Sequence, residues 1–210
     1  MSDGRIGVDE SGKGDYFGPL VIAACYVGPE HLAEIEGVRD SKKLTDAQAL
    51  GLAGKIRAVC PNSVIVLKPE KYNELYAKMK NLNHLLAWAH ARAIENVLEI
   101  QPADLVISDQ FAAGGTLVKN RLFERGKQVK FESRVRAEAD TAVAAASILA
   151  RAGFLYGLRE LSQTFDMELP KGATNVIGPG KKFVAVHGAD KLGSVAKLHF
   201  KTTGQIRDIS

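Results

Sequence analysis

The segment 5–27 constrains the fold more than any other part of the chain. Residues 5–8 alternate apolar and other residues as a strand does, and the uninterrupted apolar run 20–27 predicts a buried second strand. The glycine-rich loop SGKGDYFGP between them predicts a hairpin. Asp9 and Glu10 directly follow the first strand. Folding alone requires neither two adjacent acids at a strand end nor a basic glycine-rich turn beside them, so the hairpin is a candidate site. Solvated acids at an ordinary turn are the simpler alternative.

The rest of the chain alternates between predicted helices and strands. Thr45 and Gln48 fit a capping box, which predicts a helix that ends at about Val59. Strands are predicted at 63–67, 104–108 and 128–134, long helices at 83–100 and 141–165, and short helical segments after Pro69, at 183–187 and at 192–199. Loops are predicted at 114–115 and over most of 169–183. This order predicts an α/β sandwich with a mixed sheet, an antiparallel hairpin at its front and parallel strands behind.

Composition narrows the class of protein. A chain of 210 residues, 46% of them apolar, predicts a single domain with a substantial core. We expect a catalytic domain over 1–165 and a basic loop and helical extension over 166–210, packed on the same domain. The net charge of +4 permits binding to a polyanion without requiring it. Cys25 and Cys60 are too few for a disulfide framework. With no signal pattern and no apolar run of about 20 residues, we expect a cytoplasmic monomer without a membrane partner.

Acidic residues recur where predicted elements meet. Asp9 and Glu10 follow one strand, Asp109 follows another, and Glu138 and Asp140 precede the long helix. Because ligands gather at strand C-terminal ends in α/β sheets, Asp9 and Asp109 could converge. Clustered carboxylates repel each other, and their oxygens suit Mg²⁺ or Mn²⁺, two of which would serve phosphoryl chemistry. Each acid alone also fits a structural role, as a turn residue, an Asx cap or a favourable charge at a helix N-terminus.

Basic and aromatic residues complement the acids. Lys13 and Lys42 lie in loops near them, and further lysines crowd the tail: Lys171, Lys181, Lys182, Lys197 and Lys201. Lysines and the amides of glycine-rich loops are typical phosphate contacts, although a solvated charged face is the simpler explanation. Tyr16 could stack on a base or pack the hairpin. The five histidines are scattered without a Ser or Asp partner at telling spacing, and we expect them to be structural.

Five segments together resemble the type 2 and type 3 ribonucleases H of prokaryotes, nearly from end to end. They are VDESGKGDYFGPLVIAAC, RDSKKL, ISDQFA, AVAAASILAR, and LPKG with AKLHFKT. Gly12-Lys13-Gly14 stands where type 2 enzymes have Gly-Arg-Gly, and Asp109-Gln110-Phe111 replaces the type 2 Asp-Gly. The resemblance is therefore to type 3, ribonuclease HIII.

The resemblance implies a ribonuclease H-like fold with a mixed five-stranded sheet flanked by helices. It also implies divalent-metal-dependent endonucleolytic cleavage of the RNA strand of RNA–DNA hybrids by a two-metal-ion mechanism with Mg²⁺ or Mn²⁺. The implied metal ligands are Asp9, Glu10 and Asp109. Glu138 is the implied fourth acid, with Asp140 as its rival. The expected substrate contacts are Gly12, Lys13, Gly14, Tyr16, Lys42, Lys171 and Lys197.

Two alternatives stay open at this point. One is a type 2-like enzyme that incises at single ribonucleotides in duplex DNA, and the other is a non-catalytic hybrid-binding module. Type 3 enzymes usually carry an N-terminal substrate-binding domain, whereas only eight residues precede Asp9 here. We therefore expect the affinity for the hybrid to come from the catalytic domain and its basic tail, with a preference for runs of ribonucleotides.

Overall fold

The computed structural model describes residues 4–38, 44–110 and 114–207, which form a five-stranded sheet with helices on both faces. The strands are β1 (Arg5–Ser11), β2 (Leu20–Val27), β3 (Asn62–Leu67), β4 (Leu105–Asp109) and β5 (Lys130–Arg134). The helices are α1 (Asp46–Val59), α2 (Pro69–Met79), α3 (Leu82–Ile100), α4 (Gly114–Lys119), α5 (Thr141–Thr164), α6 (Ile177–His187) and α7 (Thr202–Arg207). Short 3-10 turns occupy Pro29–His31, Gly126–Gln128, Ala137–Ala139 and Ala189–Ser194.

The sheet is mixed and has β1 at its centre, in the order β3-β2-β1-β4-β5. β1 pairs antiparallel with β2 and parallel with β4, so the predicted arrangement of a front hairpin with parallel additions is confirmed. β4 in turn pairs parallel with β5. Val8 lies opposite Ser108 in the parallel pair, and each is followed by an aspartate. The register therefore places Asp9 and Asp109 at the same edge of the sheet.

The two faces of the sheet are covered by different helices. In β2, Val21, Ala23 and Cys25 belong to the core that includes α5, while the alternate residues belong to the core that includes α3. α5 is long and apolar enough, by length and composition, to cross a membrane. However, 78% of its apolar window is buried inside the protein, as expected of a helix packed against a sheet.

The C-terminal segment closes over the loop between β1 and β2. Tyr16 donates its main-chain N–H to the carbonyl of Gly172, and Gly18 donates to that of Val195. Lys197 donates back to the carbonyl of Tyr16. Apolar residues of this segment share the α5-side core: Phe183, Leu192, Val195, Ala196 and Ile206. The loop beside the two acids is therefore built from both ends of the chain.

Several local predictions are wrong. The predicted loop at 114–115 is the start of α4. The predicted loop over 169–183 ends at Val176, because α6 begins at Ile177 in spite of Pro179. Proline is tolerated there since the N–H groups of a first helical turn have no intrahelical partner. The helix predicted at 192–199 is replaced by a 3-10 turn that ends at Ser194, and α7 begins only at Thr202.

Candidate active site

β1 continues through the two acids and places them on opposite faces of the sheet, as strand alternation requires. Asp9 accepts a hydrogen bond from Ser147 on α5. Glu10 lies 3.1 Å from His90 on α3, measured from Oε2 to Nε2. The main-chain N–H of Glu10 donates to Asp9 Oδ1 at 2.8 Å, which ties the two acids together. The site therefore straddles the end of the strand and draws on both helices.

The surroundings of Asp9 disfavour a negative charge. Burial and the neighbouring Glu10 carboxylate raise the pKa of Asp9 to about 7, and Asp109 adds to the increase. The hydrogen bonds from Ser147 and from the Glu10 main chain oppose these effects without cancelling them. Three carboxylates are thus in electrostatic contact, and the charge on Asp9 is disfavoured by burial and by the other two. Uncompensated charge of this kind is typical of functional sites.

Glu10 has the opposite environment. Burial alone would raise the pKa of its carboxyl group, but the hydrogen bond to His90 and the nearby Lys13 outweigh burial and lower it. Lys13 Nζ lies 3.5 Å from Glu10 Oε1, while His90 contacts Oε2. Each oxygen of Glu10 thus faces a different neighbour, and the group is a carboxylate at neutral pH.

Asp109 connects β4 to the turn that precedes α5. Its Oδ1 accepts a hydrogen bond from the main-chain N–H of Ala137 at 2.9 Å. This turn is entered through Arg136, which has a left-handed φ of 56°. Glu138 follows Ala137 directly, so its main chain is adjacent to the Asp109 carboxylate.

Asp140 has a structural role. One of its oxygens caps α5 by accepting the N–H of Ala142 at 2.9 Å, and the other pairs with Arg5 Nε at 2.5 Å. This is the helix N-terminal role that the sequence left open. Both oxygens of Asp140 are thus engaged in holding the start of α5.

Gly7 allows α5 to approach this site. A Cβ atom on Gly7 would lie 2.0 Å from the carbonyl carbon of Ala142, so any side chain would push the first turn of α5 away from β1. The turn that carries Glu138 immediately precedes this helix. The missing side chain of Gly7 is therefore a condition for the close packing of the start of α5 against β1.

The glycine-rich loop presents Lys13 beside Glu10. Gly12 has a φ of +85°, and a Cβ atom there would lie 2.2 Å from the carbonyl oxygen of Pro19, so the turn requires glycine. A Cβ atom on Gly14 would meet nothing within 4 Å. The Lys13 side chain is 37% exposed. The loop thus holds a partly exposed lysine next to a metal-ligand candidate.

Tyr16 and Lys197, both predicted as substrate contacts, are fully buried. The Tyr16 hydroxyl lies 3.2 Å from Thr203 Oγ1, and its ring packs edge-on against Phe17. Lys197 Nζ donates to the carbonyl oxygens of Asp15 at 2.8 Å and Gly18 at 2.7 Å. Burial lowers the pKa of Lys197 to about 7. Both residues stabilise the glycine-rich loop from its buried side.

Lys171 remains on the surface beside the same loop. Its Nζ pairs with Asp46 at 2.5 Å, and Arg151 shares that carboxylate at 2.6 Å. The neighbouring Gly172 donates its N–H to Asp15 Oδ1 at 2.6 Å, which attaches this part of the tail to the glycine-rich loop. Lys42 lies outside the described residues.

Two residues at the site were not predicted from the sequence. The sequence predicts a structural role for the histidines, His90 among them, and gives Ser147 no role of its own. Each had a signal. His90 lies on the buried face of α3 between Leu86 and Ile94, where a polar group needs a partner. Ser147 is the one hydroxyl in the apolar run from Ala142 to Ala150.

The acids fit a divalent cation, although their side chains are not yet arranged around one. Among the residues that the structure describes, no group of three or more His, Cys, Asp or Glu side chains could hold a metal ion as they stand. The fit rests on Asp9, whose pKa is raised partly by the charges of Glu10 and Asp109. A cation would relieve this repulsion, and an all-oxygen donor set suits Mg²⁺ or Mn²⁺.

Comparisons with known proteins agree with this site and fold. The family model described as ribonuclease HII matches residues 6–203. Ribonuclease HIII of Chlamydia caviae is 46% identical over 209 residues, covering 97% of this chain and 70% of that protein. Ribonuclease HIII of Protochlamydia amoebophila is 44% identical and covers 96% of this chain and 68% of that protein.

A solved structure gives the same result. The crystal structure of Bst-RNase HIII in complex with Mn²⁺ is 34% identical with a TM-score of 0.88, covering 98% of this chain and 69% of that one. The predicted ribonuclease H-like fold is therefore confirmed, and the motifs identified the right group of enzymes. The chain belongs to the ribonuclease HII family, on its ribonuclease HIII branch.

Proposed function

We propose that this protein is an endonuclease that hydrolyses the RNA strand of RNA–DNA hybrids with Mg²⁺ or Mn²⁺, leaving 5′-phosphate and 3′-hydroxyl ends. The observation that carries the proposal is the placement of Asp9 and Asp109 at the parallel ends of β1 and β4, where the charges of Glu10 and Asp109 both raise the pKa of Asp9. Membership of the ribonuclease HII family and the likeness to a Mn²⁺ complex support the same chemistry.

The acids have distinct roles in this proposal. Asp9, Glu10 and Asp109 hold the cations, and Glu138 completes the set from the turn that Asp109 binds. Two divalent ions, when bound, lower the pKa of a water molecule and stabilise the leaving 3′ oxygen. Ser147 and His90 keep the Asp9 and Glu10 carboxylates in place. The protein thus supplies orientation and negative charge at fixed positions.

The glycine-rich loop holds the nucleic acid in this proposal. Lys13 is placed to contact a phosphate close to Glu10, and the main-chain amides of Gly12 and Gly14 are further donors. Lys171 extends the positive surface along the same loop. Contacts to a 2′-hydroxyl would distinguish RNA from DNA at the cut. All these residues come from one chain, so a monomer is sufficient.

The test is a cleavage assay with three substrates of one sequence and a labelled end. They are an RNA–DNA hybrid, a DNA duplex that contains one ribonucleotide, and a DNA duplex. We expect cuts within the hybrid in Mg²⁺ or Mn²⁺, none in EDTA, and little or none in the other two. End analysis should give 5′-phosphates.

The other outcomes are equally informative. A cut only at the single ribonucleotide would replace the proposal by type 2-like repair incision. Hybrid binding without cleavage in either metal, in a protein shown to be folded, would replace it by a binding module.

A further inference from the structure

His90 bridges the two strands that carry the acids. The ring is fully buried on α3, with Nε2 3.1 Å from Glu10 Oε2 and Nδ1 3.3 Å from Ser108 Oγ. Ser108 is also buried and immediately precedes Asp109 in β4. One rigid side chain therefore spans from a carboxylate of β1 to the residue next to a carboxylate of β4.

The partners of the ring define its hydrogen-bond pattern. A carboxylate at Glu10 can only accept, so Nε2 must donate to it. The other nitrogen, Nδ1, lies 3.3 Å from Ser108 Oγ. The Ser108 hydroxyl donates its one proton to the carbonyl oxygen of Asp109 at 3.1 Å. The ring is thus held on both sides, by Glu10 at Nε2 and by Ser108 at Nδ1.

We propose that His90 is a positioning residue for the metal-binding carboxylates. By fixing Oε2 of Glu10 it leaves Oε1, which lies 3.5 Å from Lys13, directed towards the open side of the site. The inference rests on the proposed function, because it assigns His90 to the same metal site. Residues that orient a metal ligand typically contribute about 10-fold to 100-fold to metal affinity or activity.

The helix that carries His90, α3, is held by hydrogen bonds to neighbouring elements, which fixes the position of the ring. Glu95, one turn further along α3, accepts main-chain N–H groups of Arg125 at 3.0 Å and Gly126 at 2.9 Å. Asn96 donates to Ser63 Oγ at 3.1 Å. α3 is thus tied both to β3 and to the segment before β5. Rotation of the Glu10 carboxylate would therefore break its bond to a ring that does not follow it.

The experiment compares the full chain with His90→Leu, His90→Gln and Glu95→Gln. Leu fills the space but removes both hydrogen bonds, whereas Gln keeps a donor that can reach Glu10. Glu95→Gln is the matched control, since it disturbs a buried hydrogen bond on the same helix away from the acids. Mn²⁺ alone is titrated into each protein without nucleic acid, and the free ion is measured by EPR.

We expect His90→Leu to weaken Mn²⁺ binding by about 10-fold to 100-fold, His90→Gln to recover part of the loss, and Glu95→Gln to bind as the wild type does. In hybrid cleavage, the loss should fall on kcat more than on KM. Wild-type Mn²⁺ affinity in a folded His90→Leu, or equal losses in Glu95→Gln, would overturn the inference.

Two further measurements keep the inference testable if His90→Leu does not fold. ¹⁵N NMR of the histidine-labelled wild type should show a proton on Nε2 of His90, and an Nε2 without a proton would overturn the assignment. Ser108→Ala should weaken Mn²⁺ binding less than His90→Leu, and an unchanged affinity would count against the bridge. If the wild type binds Mn²⁺ in this way but does not cut hybrids, the proposed function fails and the positioning role stands.

Discussion

The site has two halves, the carboxylates at the end of β1 and the glycine-rich loop that follows them. The two halves differ in how they accommodate a buried ionisable group. In the carboxylate half, Asp9 has a pKa raised to about 7 because burial and neighbouring acids are not compensated. In the loop half, burial lowers the pKa of Lys197 to about 7, and its amino group donates to the carbonyls of Asp15 and Gly18. The first half retains unfavourable charge that a cation can relieve. The second half uses a buried amino group as a hydrogen-bond donor that holds the loop together. In the carboxylate half, the charge that can bind a cation therefore lowers the stability of the protein. In the loop half, the buried lysine supports both the stability of the loop and its function.

The largest expected effect separates function from stability in the carboxylate half. Asp9→Asn should lower hybrid cleavage by roughly 10³-fold or more, because it removes a ligand charge worth several kcal/mol to the transition state. The same change should raise the metal-free free energy of unfolding at pH 8 by roughly 1 to 4 kcal/mol, since it removes an uncompensated carboxylate. Cleavage assays and urea unfolding in EDTA measure the two effects.

The pH dependence of this effect has a defined sign. The folded protein holds a proton on Asp9 between the ordinary pKa of 3.8 and about 7, where the unfolded chain does not. The wild type should therefore lose stability relative to Asp9→Asn as the pH rises through that window. Mn²⁺ affinity should rise over the upper part of the same range, because binding displaces the proton. A wild type that is more stable than Asp9→Asn at pH 8 in EDTA would contradict the comparison.

The next effect concerns the fourth acid of the same half. Glu138→Gln should lower cleavage in Mn²⁺ by about 10-fold to 100-fold with little change in stability, because Glu138 lies beside Asp109 through the Ala137 contact. Asp140→Asn should keep most of the activity, since asparagine also caps a helix. It should lose roughly 0 to 1 kcal/mol of stability with the partly exposed Arg5 pair. The reverse pattern would assign the fourth position to Asp140.

The fold was largely readable from the sequence because its signals are local. The apolar run of β2 and the capping box at Thr45 and Gln48 both correspond to observed elements. The start of α6 was missed because Gly178 and Pro179 resemble a loop, whereas the first helical turn tolerates them. Local patterns thus gave the strands of the sheet and most of the helices. The errors fall at α4 and α6, which have glycine or proline in their first turn, and in the C-terminal segment, where α7 begins after the predicted helix.

The site was only partly readable, since a side chain's environment depends on distant residues. The acids stood out by their position after strands. The burial of Lys197 depends on carbonyls more than 170 residues away in the chain, which no spacing reveals. The resemblance identified the family but could not show that Tyr16 faces the core. His90 needed Glu10 and Ser108 beside it before its role was visible.

A smaller effect tests the loop half. Lys197→Met should destabilise the protein by roughly 1 to 3 kcal/mol at pH 9, because two carbonyl oxygens lose their donor. Since burial lowers the pKa of Lys197 to about 7, the folded protein binds fewer protons than the unfolded chain above that pH. The stability of the wild type relative to Lys197→Met should therefore rise from pH 7 towards 10.5. Urea unfolding measures it, with the exposed Lys191→Met as the control. Equal stability of wild type and Lys197→Met at pH 9 would remove the supporting role.

The smallest expected effect separates the surface of the loop half from its interior. Lys171→Ala should leave stability nearly unchanged, because its pair with Asp46 is exposed and Arg151 still holds that carboxylate. If Lys171 contacts a phosphate, the slope of log affinity for the hybrid against log salt should fall in magnitude by about 1. Binding by fluorescence anisotropy at several salt concentrations, in Ca²⁺ to prevent cleavage, gives this slope. Lys78→Ala, which removes another exposed, ion-paired lysine, on α2, is the control. An unchanged slope in Lys171→Ala would leave the loop half with Lys13 as its phosphate contact and would limit Lys171 to its pair with Asp46.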